Sequence, residues 1–158
     1  MDLINKRVVL TGGASGIGAA VLRRLAAEGA QCVHVADQNQ AALTELVSEL
    51  SPHCEIRAAT LDVTDREALS NWFNAADAAM GGIDIVINNA GIMSGPIEFP
   101  ETPIAAMIKV IDVNLIAMMI GTRLAVERMH ARGIEGVVMN TASVAAFNAM
   151  PADPAYAA

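Results

Sequence analysis

Five short apolar runs alternate along this chain with stretches whose apolar residues recur at helical spacing. Such runs predict buried strands, here at residues 7–11, 32–36, 56–61, 83–87 and 137–140. The intervening stretches predict helices at residues 19–28, 41–50, 65–80 and 104–130, with another beginning at Tyr156. Strict alternation of strands and helices is typical of a parallel sheet covered on both faces. The sequence therefore predicts an α/β fold with a Rossmann-like, doubly wound parallel sheet.

The composition indicates one such domain and excludes several classes of protein. A chain of 158 residues predicts a single domain over residues 1–158. A hydrophobic content of 54% excludes disorder, and a net charge of −7 argues against a nucleic-acid partner. Only Cys32 and Cys54 are present, without the spacing of a metal site or a disulfide framework. We therefore expect no metal and no structural disulfide.

The N-terminal residues lack the apolar core of a signal peptide. No uncharged apolar stretch reaches the roughly 18 residues of a membrane span. We therefore expect a cytoplasmic protein with no membrane partner.

A glycine-rich turn separates the first predicted strand from the first predicted helix. It contains Gly12, Gly16 and Gly18, with Ser15 and Ile17 between them. Glycines allow the backbone to approach a pyrophosphate, and the start of the helix offers unpaired N–H groups and partial positive charge. The spacing is G-x-x-x-G-x-G, which differs from the standard dinucleotide-binding pattern. Binding of a dinucleotide is the favoured interpretation, and an ordinary strand-to-helix turn is the alternative.

Asp37 ends the second predicted strand, where a carboxylate can accept hydrogen bonds from the adenosine ribose hydroxyls. The same charge would repel the 2′-phosphate of NADP. The next residues, Gln38 to Gln40, and Ser15 in the turn are all uncharged. The sequence therefore predicts NAD as the cofactor, with a capping or solvated aspartate as the alternative.

Further motifs follow in order along the whole chain. They are Asp62-Val63, Asn88-Asn89-Ala90-Gly91, Asn114, Ser143 and Tyr156, after the Thr11-Gly12-x-x-x-Gly16-x-Gly18 turn. Together they resemble the short-chain dehydrogenase/reductase family. The resemblance implies an NAD-dependent oxidoreductase that transfers a hydride between nicotinamide and a secondary alcohol or ketone.

The resemblance also implies a role for each matching position. Asp62 would hydrogen-bond the adenine amino group, with Val63 against the ring. Asn88, Ala90 and Gly91 would lie beside the adenosine ribose and stabilise the centre of the sheet. Asn89 would also bind the cofactor. Asn114 would hold a water in a proton relay, Ser143 would hydrogen-bond the substrate oxygen, and Tyr156 would be the general acid or base.

A phenol titrates at a pKa of about 10, so an efficient base at neutral pH needs a nearby cation. The family places a lysine four residues after the tyrosine, which here would be position 160. The only lysines are Lys6 and Lys109. We therefore expect an incomplete dinucleotide-binding domain that lacks the family's last strands, with little activity as a polypeptide of 158 residues. The alternatives are a genuinely short product, and a non-catalytic nucleotide-binding or regulatory relative on the same fold. An epimerase or dehydratase on a related fold also stays open.

The resemblance implies a homodimer or homotetramer for the full-length protein, paired through the long predicted helix, where Ile116, Met119 and Ile120 are candidates. The stretches around Met93 and Phe147 are apolar. They favour an apolar or neutral small-molecule substrate.

Overall fold

The computed structural model describes residues 2–158, which form five parallel strands in one sheet. The strands are β1 (Arg7–Thr11), β2 (Cys32–Asp37), β3 (Glu55–Thr60), β4 (Ile85–Asn88) and β5 (Val137–Asn140). Their order across the sheet is β3-β2-β1-β4-β5. The chain therefore builds outward from β1 in one direction and then returns to add β4 and β5 on the other side. This order confirms the Rossmann-like, doubly wound sheet and places a switch point between β1 and β4, where such sheets bind ligands.

Helices cover both faces of the sheet. They are α1 (Gly16–Ala27), α2 (Gln40–Leu50), α3 (Arg66–Met80), α4 (Ile104–Ile111), α5 (Met118–Arg132) and α6 (Pro154–Ala157). A π-helical turn, Asp112–Ala117, joins α4 to α5 in one long helix, where the sequence predicted a helix with a possible break. A 3₁₀ turn, Val144–Phe147, lies in the stretch predicted as a loop.

The core has two halves because successive side chains of a strand point to opposite faces of the sheet. Val8 and Leu10 of β1 pack on the side of α1, with Leu22. Val9 packs on the other side, with Phe73 of α3. Full burial of a side chain of this size contributes about 1.5–3 kcal/mol to stability. Both faces are thus held by apolar contacts, and the carboxyl ends of the strands are left to carry polar groups.

Several element boundaries differ from the sequence prediction by one to three residues, among them the starts of α1 and β4. α1 begins at Gly16, before the predicted start at residue 19, because the backbone N–H of Ala19 already donates to the carbonyl of Ser15 at 3.0 Å. β4 begins at Ile85, after the predicted start at residue 83. The carboxylate of Asp84 accepts bonds from the backbone N–H of Arg7 at 2.9 Å and from its Nε at 2.8 Å. These bonds tie the start of β4 to the start of β1.

The long helix, Ile104–Arg132, is long and apolar enough to cross a membrane, with a mean hydropathy of 1.9 in an 18-residue window. The sequence criterion counted uncharged stretches only, and Lys109 and Asp112 interrupt this one. Val110 and Val113 pack into the core, although only 22% of the window is buried within residues 2–158. A single helix of this kind is weak support for a membrane protein, because core helices pass the same test.

Candidate functional site

The glycine-rich turn between β1 and α1 folds tightly against the segment that follows β4. Gly12 has a φ of +68°, and a Cβ there would lie 2.7 Å from the Cα of Ala90. A Cβ on Gly18 would overlap the carbonyl oxygen of Gly12. Only glycine satisfies these contacts and the positive φ without strain. At Gly16, by contrast, a Cβ would meet no atom of residues 2–158 within 4 Å. The turn is therefore packed on one side and open on the other.

The first turn of α1 has no side-chain cap within the described chain, although Ser15 stands at the N-cap position. In contrast, Asn39 caps α2 and Asp65 caps α3. Backbone N–H groups at an uncapped helix start carry partial positive charge and bind anions. Ile17, beside them, is 66% exposed. The residues of the turn thus fit a diphosphate held by backbone N–H groups.

Asp37 is half-buried at the carboxyl end of β2 and faces the turn. Its Oδ2 accepts a bond of 2.9 Å from the backbone N–H of Ala14, and its Oδ1 accepts one of 2.9 Å from Asn39. A carboxylate offers about four acceptor positions. Asp37 therefore orients the loop after β2. Its carboxylate can still accept hydrogen bonds from a molecule bound in the cavity.

Asp62 follows β3, and its Oδ1 accepts bonds from the backbone N–H of Thr64 at 2.9 Å and from its hydroxyl at 2.7 Å. Burial alone raises the pKa of Asp62, but the Thr64 bonds, the charge of Lys109 and a bond from Gln38 together bring this pKa below its usual value. Asp62 is thus held as a carboxylate beside Val63, which is buried.

Asn89 supports the glycine turn directly. Its Nδ2 donates to the carbonyl oxygen of Thr11 at 3.2 Å and to that of Gly12 at 3.0 Å. The backbone N–H groups of Asn89 and Ala90 both reach the hydroxyl of Thr11, at 3.1 and 3.2 Å. The segment after β4 and the turn after β1 therefore form one hydrogen-bonded unit.

Asn114 lies within the π-helical turn and is held from both ends of its amide. Its Oδ1 accepts a bond of 2.9 Å from the backbone N–H of Ile92, and its Nδ2 donates one of 2.9 Å to the carbonyl of Ile92. π-helical turns are frequent at functional sites. The side chain of Asn114 thereby fixes the backbone just after Gly91, so a water held here would need further partners.

A cavity of about 800 Å³ at the carboxyl ends of the strands collects most of the predicted residues. The predicted positions that line it are Gly12, Ser15, Gly16, Ile17, Gly18, Asp37, Val63, Asn89, Ala90, Gly91, Asn114, Ser143 and Tyr156. Asp62 and Asn88 do not line it. Its volume lies within the range of small-molecule and cofactor sites. Residues from both ends of the sequence therefore meet in one space.

Within residues 2–158, no group of three or more His, Cys, Asp or Glu side chains is arranged to hold a metal ion.

A sequence model described as short chain dehydrogenase matches residues 6–158. The chain belongs to the short-chain dehydrogenase family.

Two curated relatives of this short-chain dehydrogenase act on hydroxylated compounds, by their names. The 3beta-hydroxysteroid dehydrogenase 2 of Eggerthella lenta is 36% identical, over 99% of this chain and 60% of that protein. The 1-deoxy-11-beta-hydroxypentalenate dehydrogenase of Streptomyces exfoliatus is 38% identical, over 100% of this chain and 58% of that protein.

Solved structures of short-chain dehydrogenases also match. An NAD+-bound xylitol dehydrogenase superposes with a TM-score of 0.91 at 26% identity, over 99% of this chain and 60% of that chain. A short chain dehydrogenase from Mycobacterium smegmatis gives a TM-score of 0.88 at 30% identity, over 99% and 65%. The chain therefore spans about three fifths of the length of these relatives.

Sequence reasoning about this short-chain dehydrogenase missed three polar residues. Lys109 lines the cavity from α4. Asp153 is buried and accepts bonds from both the backbone and the hydroxyl of Ser94. The Asp-Pro pair that starts α6 was the available signal, because aspartate at the N-cap followed by proline is a strong helix start. Ser94 gave no comparable signal.

Proposed function

We propose that this chain is the cofactor-binding part of an NAD-dependent oxidoreductase that interconverts a secondary alcohol and a ketone. One observation carries the proposal: the glycine turn, Asp37, Ser143 and Tyr156 all line a single cavity. If the diphosphate of a dinucleotide binds at the uncapped start of α1, the rest of the dinucleotide would lie across the switch point of the sheet. The nicotinamide end then lies toward Ser143 and Tyr156.

The choice of NAD over NADP rests on charge. Asp37 presents its carboxylate at the end of β2, where the adenosine ribose of a bound dinucleotide would lie. Among the described residues that line the cavity, Lys109 is the one cation, and its charge acts on Asp62. A 2′-phosphate would therefore meet a carboxylate without a free cation to offset it. The NAD+-bound xylitol dehydrogenase supports the same choice.

When bound, NAD supplies a carbon that accepts or donates a hydride. The substrate oxygen must lose or gain a proton in the same reaction, and Tyr156 is the group that would move it. Ser143 would donate a hydrogen bond to that oxygen, while its own Oγ accepts one of 3.2 Å from Ala145. Asn114 would act through the backbone that it fixes at Ile92.

Turnover by the described residues alone is proposed to be weak. Tyr156 needs a nearby cation to work as a base at neutral pH, and Lys109, the one cation among the described residues that line the cavity, acts on Asp62. Binding of NAD without turnover would equally suit a non-catalytic relative. The two are separated by appending the residues that follow the matched part in the longer relatives: turnover should then appear only if the chain belongs to an enzyme.

The substrate is proposed to be apolar. Met93, which lines the cavity, is an exposed apolar side chain, and so are Val144 and Phe147, which follow Ser143 in the chain. The hydroxysteroid and hydroxypentalenate dehydrogenases named above are consistent with a bulky apolar alcohol or ketone.

For the whole protein we propose a cytoplasmic homodimer or homotetramer, with neither nucleic acid nor membrane as a partner.

The cofactor proposal is tested by binding, which does not depend on catalysis. NADH should bind more tightly than NADPH, as measured by calorimetry or by the fluorescence of the reduced nicotinamide. Asp37→Asn removes the charge but keeps an oxygen for the bond from Asn39. It should narrow the preference for NADH over NADPH by at least about tenfold, because a charged hydrogen bond contributes about 1.5–3 kcal/mol.

Glu49→Gln is the matched control, because it removes the same charge near the far end of α2. It should leave the preference unchanged. Tighter binding of NADPH by the unaltered chain would refute the choice of NAD.

A further inference from the structure

Asp153 is a buried carboxylate directly before α6, and it has more partners than a helix cap needs. It is 5% exposed. Its Oδ1 accepts a bond of 3.1 Å from the backbone N–H of Tyr156, which is the ordinary N-cap contact. The same Oδ1 accepts one of 2.6 Å from the hydroxyl of Ser94, and Oδ2 accepts one of 2.8 Å from the backbone N–H of Ser94. Both carboxylate oxygens therefore accept hydrogen bonds from Ser94, which lies 59 positions earlier in the chain.

Ser94 belongs to the segment after β4, which is itself anchored. Asn114 holds Ile92, two residues before Ser94, through both ends of its amide. A second link, from the backbone N–H of Phe99 to the carbonyl of Ala152 at 3.1 Å, joins the same two stretches. A continuous set of bonds thus runs from the π-helical turn through the segment after β4 to the start of α6.

We propose that Asp153 is a positioning residue for Tyr156, which it holds at a fixed place relative to Asn114 by clamping Ser94. The proposal rests on the proposed function, because it concerns the residue expected to move the proton. α6 is capped without needing Ser94, and Ser94 is not part of a helix or strand. The two bonds to Ser94 are therefore explained by placement of Tyr156 rather than by helix stability. Without them, the bond from Phe99 to Ala152 would remain between these two stretches, and α6 would otherwise be held by packing on α4.

The charge of Asp153 is maintained in this environment. Burial alone raises the pKa of Asp153, but the bonds from Ser94 and from the backbone of Tyr156 bring this pKa below its usual value. The two bonds between Asp153 and Ser94 are thus charge-assisted hydrogen bonds, which are about twice as strong as neutral ones.

The test uses the fact that Tyr156 is the only tyrosine in the chain. Incorporation of 3-fluorotyrosine therefore gives a single ¹⁹F resonance that reports on this side chain alone. In Asp153→Ala, the resonance should move more than half of the way toward its position in the guanidinium-unfolded chain. Ser94→Ala keeps the cap and removes one bond, so it should cause a smaller move in the same direction.

Asp65→Ala is the matched control, because Asp65 caps α3 in the same way with one bond, to the backbone N–H of Ala68. It should lower the melting temperature to a similar extent and leave the resonance in place. If Asp153→Ala fails to fold, Asp153→Ser replaces it. Serine keeps a cap for Tyr156 but is too short to reach Ser94, so this variant loses both bonds to Ser94 and should move the resonance further than Ser94→Ala.

A cofactor titration separates this proposal from the proposed function. NAD+ should shift the wild-type resonance, and Asp153→Ala should bind NAD+ within about threefold of wild type while losing most of that shift. If the unaltered chain does not bind NAD+, the proposed function fails. The ¹⁹F resonances of the variants without cofactor still test whether Asp153 positions Tyr156. An unchanged resonance in both Asp153 variants, or an equal move in Asp65→Ala, overturns the proposal.

Discussion

His34 lies in the middle of β2 and points into the core on the side of α3, where its ring centroid is 5.7 Å from that of Trp72. It is buried, and its Nδ1 has no hydrogen-bond partner among residues 2–158. Burial lowers the pKa of His34, and the positive charge of Arg57 on the neighbouring strand lowers it further. The folded protein therefore keeps this ring neutral at a pH where the unfolded chain would protonate it.

This imbalance predicts that the protein loses stability as the pH falls below about 6.5, the unperturbed histidine pKa. The unfolded state then binds more protons than the folded state, so the free energy of unfolding decreases by up to about 1.4 kcal/mol per pH unit. His34→Leu should flatten the dependence of melting temperature on pH between neutral and mildly acidic buffers. His53→Gln, at an exposed position, is the control and should follow wild type. An equally steep acid dependence in His34→Leu would remove His34 as its source.

The packing of α5 on β4 depends on a small residue at the contact. A Cβ on Gly121 would overlap Oδ1 of Asn88, which is buried. Asn88 is not free to swing away, because its Nδ2 donates to Oδ1 of Asn140 at 2.8 Å and to the hydroxyl of Thr122 at 3.2 Å. This asparagine therefore joins β4, β5 and α5.

Gly121→Ala should lower the free energy of unfolding by about 1–3 kcal/mol, the usual cost of overpacking, despite the better helix propensity of alanine. Urea denaturation measures this change. The effect should shrink in an Asn88→Ala background, where the opposing amide is gone. Equal losses from Gly121→Ala in both backgrounds would show that the contact with Asn88 is not the cause.

For the whole molecule, the sequence predicts which segments form strands and helices but only part of how they meet. The apolar runs and glycines located every strand within a few residues, because burial on both faces of a parallel sheet demands such runs. Asp37 was predicted from its place at the end of a strand, whereas Ser143 and Tyr156 were predicted from the resemblance to the short-chain dehydrogenase/reductase family; all three line the cavity. The bonds between Ser94 and Asp153 were missed because they join loops 59 positions apart, and no local pattern encodes such a contact. The π-helical turn at Asp112–Ala117 was read only as a possible break, since its hydrogen bonds leave no distinct apolar spacing.

Exposed apolar side chains lie along the long helix, where Ile108 and Met119 are 56% and 58% exposed. Contiguous apolar surface of this kind marks an interface, and we expect a second copy of the chain to cover it. Light scattering after size-exclusion chromatography should therefore give a mass above that of one chain. The double substitution Ile108→Lys/Met119→Lys should reduce it to the monomer, whereas Ile4→Lys, which alters a residue 58% exposed outside this helix, should not. A monomeric wild-type chain that floats with phospholipid vesicles would instead assign the surface to a membrane and contradict this expectation.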